Sequence, residues 1–386
     1  MSDRHLELGV FAPTIGCSAS FGTNAFVLVS SAEQRTEPTF EYNLRVATLL
    51  DQAGLEVFFM AQRGGSGFGP ARFWSCSLDS FTTAAGLAMA TQNLKIISTV
   101  HTAFYHPGVV ARIGATLDQI SRGRWALNIV SGWAESDFRM LDIPLLEHDK
   151  RYVQSTEFVE VLQKFWTEDW FDYKGEYFSI TQGTCHPKPA QPPLLYNAGS
   201  SPVGRSFAAK YCDWYFAGAQ SLDQLTQEIT DVRAQAAQRG REVKVIVYLF
   251  MLCRDTEEAA QKEVEEILAC ADLDSAKEWL EALTGQTVGT VASTLGQGLS
   301  VEEMLRNVVV GVGSGKLIGT PEHVAQELAQ FQEAGVDAVG LTFRHVEEEV
   351  RDLIDRVLPI LERTGVRRQG VRRAPKSAPA SLLAAD

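Results

Sequence analysis

The sequence predicts an α/β protein of the (β/α)8, or TIM-barrel, class, and two observations carry that prediction. Short apolar runs rich in β-branched and aromatic residues alternate with longer stretches of helical period, the pattern of repeated βα units on a parallel sheet. Eight such runs occur, and eight parallel strands joined by right-handed crossovers close most naturally into a barrel; an open doubly wound sheet is the runner-up.

In chain order the strands are expected at 6–13, 55–62, 94–101, 124–131, 193–198, 213–218, 244–253 and 337–344. Helical periodicity fills 41–53, 80–91, 109–121, 149–167, 203–211, 221–239, 256–269, 321–335 and 347–363. Gly54 and Gly335 suit helix ends, and Thr320 followed by Pro321 suits a helix start. Three segments break the repeat: Gly/Ser-rich loops at 14–40 and 63–79, and an insertion at 271–316 between strands seven and eight. The insertion has a helical part, 272–284, and a Gly-rich part from Val310 to Lys316 that is expected to act as a mobile lid. Long loops after barrel strands are where active sites are built. The chain reads as one domain over 1–363, followed by an Arg-, Pro- and Ala-rich tail, 364–386, expected to be disordered.

Composition narrows the function. The 386 residues are 45% hydrophobic and 22% charged, an ordinary globular balance. A net charge of -13 argues against nucleic acid or an anionic membrane as partner, because a polyanion is repelled on average. Cys17, Cys76, Cys185, Cys212, Cys253 and Cys270 are scattered without C-x-x-C spacing, so neither a disulfide framework nor a zinc site is indicated. His101, His106, His148 and His345 form no metal triad by spacing, and no metal is expected. The polar start from Met1 to Glu7 lacks a signal peptide's apolar core, and no run of ~18 apolar residues occurs. A soluble, cytoplasmic protein is expected.

Three motifs carry chemistry. Asn128 to Trp133 (NIVSGW) lies at the end of the fourth predicted strand, where a polar side chain either meets a ligand or ties neighbouring strands together. Arg151 and Tyr152 open a long helix; guanidinium, hydroxyl and helix dipole together suit a phosphate, although a solvated charge run has the same composition. Asn197 to Gly204 (NAGSSPVG) turns from a strand into a helix through Ser200, Ser201 and Pro202, a shape that gathers backbone N–H groups on an anion or simply caps the helix. Val310 to Lys316 lacks P-loop spacing, and the loop after the first strand lacks the dinucleotide fingerprint, which disfavours a nucleoside triphosphate and a Rossmann-bound NAD.

These segments, with Gly114 to Trp133 and Leu317 to Pro321, give the chain a resemblance to the luciferase-like flavin monooxygenases from about residue 6 to about residue 363. Within them it looks most similar to the dimethylsulfone monooxygenases, through 146–152 (LEHDKRY), 213–216 and 345–350, and to the pyrimidine monooxygenases of uracil breakdown, through 67–69, 73–74 and 248–251. The resemblance implies FMN, used as FMNH2, with O2 as co-substrate; NAD(P)H enters only through a separate flavin reductase. It implies flavin contacts at Gln62, Arg63, Asn128, Asp137, Arg151, Tyr152 and Ser201, to which the serine turn adds Ser200. Asp137 stands where the family usually has Glu. Thr99 and Asn128 would hold oxygen beside the flavin for a flavin peroxide, and Trp133 with Phe59, Trp74 or Phe250 would wall a dry pocket. Tyr248, Phe250 and Val310 replace the cationic groups of alkanesulfonate monooxygenases. The expected reaction is oxidation of a small organic substrate, with C–S, C–N or C–halogen cleavage or sulfur oxidation. A deazaflavin-dependent hydride-transfer enzyme and a non-catalytic flavin-binding protein are the alternatives. A homodimer or homotetramer is expected, since 80–91 and 109–121 have apolar content suited to burial on both sides.

Overall fold

The structure is a computed structural model that describes residues 5–16, 28–35, 38–65, 67–70, 72–218, 221–295 and 299–368. Parts of the expected loops 14–40 and 63–79, Cys17 and the tail from 369 lie outside the described residues.

Every predicted strand forms. β1 (Glu7–Phe11), β2 (Val57–Phe59), β3 (Lys95–His101), β4 (Trp125–Val130), β5 (Leu194–Asn197), β6 (Trp214–Ala217), β7 (Lys244–Cys253) and β8 (Ala338–Thr342) pair in parallel, each with the next. β8 returns to β1, with Glu7 opposite Ala338, which closes the barrel and rules out the open sheet. Strand residues are buried on both faces because helices cover the outside, so their apolar runs are continuous rather than alternating. The covering helices are α1 (Phe40–Ala53), α2 (Ser80–Ala90), α3 (Pro107–Ser121), α4 (His148–Thr167), α5 (Pro202–Tyr211), α6 (Leu222–Ala237) and α7 (Pro321–Glu333). The last, α8 (Val346–Asp352), runs on through a π turn to Leu358–Thr364. Among the described residues no helix is long and apolar enough to cross a membrane.

Aromatic rings plug the barrel. Phe11, Phe59, Phe216 and Tyr248 stand with ring centroids 5.1–5.6 Å apart, and Tyr196 stacks on Trp214 at 5.3 Å. Phe59 thus belongs to the barrel's own core, not to the pocket wall expected of it. Trp74 and Phe250 do share an apolar cluster with Trp133.

The chain departs from the plain repeat in three places. A hairpin, Phe171–Lys174 with Ser179–Gly183, follows α4, and its turn is held by the buried Glu157 carboxylate, which accepts from the N–H groups of Glu176, Tyr177 and Phe178. The insertion folds as helices Leu273–Thr284, Val288–Leu295 and Val301–Val309, then as an extra strand, Gly315–Gly319, beside the upper half of β7. Between them the Gly-rich segment expected as a mobile lid is packed down: Val310 and Val312 are buried, and the Tyr248 hydroxyl donates to the Val312 carbonyl at 3.1 Å. Its glycines make a tight turn, with Gly311 and Gly313 at positive φ, rather than a loose one. Finally, the packed chain outruns residue 363: Val366 is buried, and Arg367, fully buried, donates to Glu56 at 2.7 Å and to the Gly54 carbonyl.

Thr320 opens α7 as expected, its hydroxyl accepting from His323 N–H at 3.3 Å. Thr320→Ala removes that cap and is expected to cost about 1 kcal/mol, lowering the Tm by about 1 °C in a thermal melt.

Candidate active site

The C-terminal ends of the strands form one mouth of the barrel, and the parallel register brings Thr99 on β3 opposite Asn128 on β4. Both are buried. The Thr99 hydroxyl donates to the Met60 carbonyl at 2.7 Å and accepts from the Asn128 amide N–H at 3.1 Å. These two bonds fix the amide's orientation and leave Asn128 Oδ1 buried without a hydrogen-bond partner among the described residues, an acceptor facing the mouth.

Two residues beyond Thr99, His101 shares its side of β3. Its Nε2 contacts the Gln62 carbonyl at 3.2 Å, which makes Nε2 the donor and leaves Nδ1 without a partner. Burial lowers the His101 pKa, so the imidazole is neutral. The Gln62 side chain is anchored through Oε1 to the Ser80 hydroxyl at 2.8 Å, at the start of α2. Arg63 and Asp137 form a buried ion pair, Nη2 to Oδ1 3.1 Å. Burial lowers the Arg63 pKa, which Asp137 partly opposes. The Arg63 guanidinium also lies 4.7 Å from the Phe68 ring centre and 4.9 Å from that of Trp133. Phe68 stacks on Trp133 at 5.7 Å, Trp133 meets Trp74 edge-on at 6.4 Å, and Trp74 meets Trp279 of the insertion at 5.6 Å. An apolar wall with a cation set into it results.

The third part of the mouth is a cradle after β5. Asn197 bridges from its amide to the Ile129 carbonyl on β4 at 2.8 Å and accepts from Gly199 N–H at 3.0 Å. Ser201 then caps α5, accepting from Gly204 N–H at 3.1 Å, and Pro202 takes the first turn. Tyr152, from the first turn of α4, brings its hydroxyl into hydrogen-bond contact with Ser201. A Cβ on Gly199 would lie 2.2 Å from that hydroxyl, and one on Gly204 2.6 Å, so only glycine at both positions leaves the oxygen its place. Burial raises the Tyr152 pKa, against the Ser201 contact and Arg151, and the phenol remains a donor. Arg151 donates to the Gly132 carbonyl just past β4, while its buried Nε has no hydrogen-bond partner among the described residues. Ser200 is exposed, and its carbonyl accepts from Arg205 at 2.5 Å.

Buried polar atoms without partners cost about 1–3 kcal/mol each, so native proteins keep few of them. Among the described residues a group of them lies at the mouth: Asn128 Oδ1, His101 Nδ1, Arg151 Nε, and the side chains of Arg63 and Asp137, which form an ion pair with each other but no hydrogen bond. With the glycine cradle, this donor and acceptor set fits a large polar ligand ending in an anion.

The profile of the luciferase-like monooxygenase family matches residues 20–338. The chain belongs to that family. This family member is 34% identical over 376 residues to the FMNH(2)-dependent dimethylsulfone monooxygenase of Pseudomonas fluorescens (strain Pf0-1), covering 97% of this chain and 99% of that protein. It is 30% identical over 366 residues to the pyrimidine monooxygenase RutA of Bradyrhizobium sp. (strain BTAi1 / ATCC BAA-1182), covering 92% and 97%. Among solved structures, riboflavin lyase RcaE, crystallised with modified FMN and substrate riboflavin, superposes with a TM-score of 0.84 at 25% identity, over 97% of this chain and 94% of that one.

Within the luciferase-like barrel, the residues singled out from sequence converge as three groups. Thr99 and Asn128 are in direct contact; Gln62, Arg63, Asp137 and Trp133 line the adjoining side; Tyr152 and Ser201 meet at the cradle with Arg151 beside them. Ser200, next in the chain, is exposed, and its side chain makes no hydrogen bond among the described residues. Sequence reasoning overlooked His101 and Phe68. The signal for His101 was its spacing of two from Thr99 on a strand, which puts both on one face.

Proposed function

We propose that this chain is the oxygenase of a two-component flavin monooxygenase system, in which FMNH2 and O2 oxidise a small organic substrate. The observation that carries this reading is the set of buried polar atoms at the strand ends that lack hydrogen-bond partners among the described residues, which together with the Gly199–Gly204 cradle fits a phosphorylated polar cofactor. The likeness to FMNH(2)-dependent dimethylsulfone monooxygenases favours reduced FMN over a deazaflavin.

Arg151, Tyr152, Ser201 and the exposed Ser200 would hold the FMN phosphate, and Gln62, Arg63 and Asp137 the polar part of the rest of the cofactor. When bound, reduced FMN supplies the electrons and the site at which O2 is activated. Asn128, held by Thr99, would offer its Oδ1 as an acceptor to the bound cofactor and orient it. Trp133, Phe68, Trp74 and Phe250 exclude water, which strengthens the polar contacts they surround. The substrate class includes compounds open to C–S, C–N or C–halogen cleavage or to sulfur oxidation. FMNH2 comes from a separate NAD(P)H-dependent reductase, in the cytoplasm, and the working unit is a homodimer or homotetramer.

The test mixes the protein with FMN, NADH, a generic flavin reductase and dimethylsulfone or uracil under 18O2. One labelled oxygen atom in a product is expected from one of these or from a wider panel of sulfur and nitrogen compounds; turnover without label contradicts the proposal. The cradle has its own check. Ser201→Ala loses the helix cap and the Tyr152 contact and is expected to weaken FMN binding about five- to tenfold in equilibrium dialysis, roughly one hydrogen bond's net worth.

A further inference from the structure

On the far side of the mouth from Asn128, the apolar wall holds two polar groups that the cofactor reading leaves unused. Ile246 and Tyr248 of β7 point into the barrel, and Phe250, two residues on, continues that inward row above it. The extra strand places Lys316 directly beside Phe250, and partners in a parallel pair share a face, so the lysine leaves the strand toward the mouth. It is mostly buried, and among the described residues it has neither a hydrogen bond nor an ion pair. Burial alone pulls its ammonium down to about 8.

Ser314 stands close by. Its hydroxyl is buried and, among the described residues, without a hydrogen-bond partner. A Cβ on Gly311 would be 2.7 Å from Phe250 Cβ and 2.8 Å from Ser314 Oγ, so that hydroxyl and the Phe250 side chain lie against the same point. A cation and a hydroxyl thus flank one phenylalanine in a wall otherwise made of Trp74, Trp133, Val310 and Val312. An unpaired ammonium in such a place is costly unless a ligand supplies the counter-charge.

Resting on the proposed function above, we infer that Lys316 and Ser314 form an oxyanion-binding pocket for the substrate: a small molecule with an apolar body and one singly charged acid group, sulfinate or carboxylate. The apolar body lies against Phe250 and the tryptophans, and the acid oxygens accept from the ammonium and the hydroxyl. One cation and one hydroxyl match a single negative charge, whereas a phosphate dianion finds fuller partners at the Tyr152–Ser201 cradle.

Calorimetric titration tests this with butane-1-sulfinate, butanoate and the neutral dimethylsulfone, each added to the protein with and without saturating FMN. At least one acid is expected to bind, Lys316→Met to weaken it tenfold or more, and Lys316→Arg to stay within about threefold of the native protein. Dimethylsulfone binding is expected to be indifferent to both changes. The inference is overturned if neither acid binds in either state, or if Lys316→Met binds the acids as well as the native protein does. It is equally overturned if Lys316→Met instead weakens FMN binding tenfold, because the lysine then serves the cofactor. FMN binding is measured on the same samples: its absence in the native protein counts against the proposed function, its presence without acid binding only against the pocket.

Discussion

Arg151→Ala is expected to weaken FMN binding roughly 100-fold, about 2.7 kcal/mol, while leaving the circular-dichroism spectrum and the melting transition close to those of the native protein. Two facts set the size. The guanidinium lies at the first turn of α4, where the helix dipole already favours an anion, and while one nitrogen donates to the Gly132 carbonyl, its buried Nε has no hydrogen-bond partner among the described residues. Charge-assisted hydrogen bonds to phosphate are the strong ones, and their removal strands a dianion. Burial lowers the Arg151 pKa, with Tyr152 opposing, but a guanidinium starts so high that the cation persists at any working pH. Arg151→Lys keeps the charge and loses the planar fork, so an intermediate loss of about tenfold is expected. Quenching of flavin fluorescence reads both variants, and an unchanged affinity in Arg151→Ala would place the phosphate elsewhere.

The second large effect falls on rate rather than on binding. Asn128→Leu keeps the side chain's approximate volume and removes the acceptor that Thr99 holds in place. Product formation in single turnover is expected to fall about 100- to 1000-fold, the range seen when one preorganised polar group is deleted from an active site, with FMN affinity changed only a few-fold. Thr99→Val acts on the same group indirectly: it frees the Asn128 amide to rotate and leaves the Met60 carbonyl unpaired. The double variant is therefore expected to be little worse than Asn128→Leu alone, the signature of two residues working as a unit. Equal losses in rate and in FMN affinity would make the pair a scaffold for the ring and no more.

How much of this was legible beforehand follows from which interactions are local. The strands announced themselves because a doubly covered parallel strand must be apolar throughout, and Lys244–Cys253 is the plainest case. The start of α5 was legible because Ser201, Pro202 and the glycines are a local solution to local needs. Phe59 was misassigned because period-two alternation says which residues share a face but not how high on the barrel they sit, and its height puts it in the aromatic plug. Val310 to Gly313 misled through composition: glycine signals either freedom or a tight turn, and the Tyr248 hydroxyl, more than sixty residues away in the chain, decides for the turn. The hairpin after α4 depends on Glu157 reaching three N–H groups about twenty residues later, and no short-range pattern reports that. Lys316 looked like the end of a glycine loop, and only its register against Phe250 turns it toward the mouth.

A phosphate is proposed to sit where Arg151, Tyr152 and Ser201 come together, and a crystal of the protein soaked with FMN reads its position. Phosphate oxygens are expected at about 2.7–3.2 Å from the Tyr152 hydroxyl, from Ser201 and from the Arg151 guanidinium, with the ring edge beside Asn128. Flavin bound with its phosphate at any other rim of the barrel, or density for FMN only on the outer surface, would contradict it.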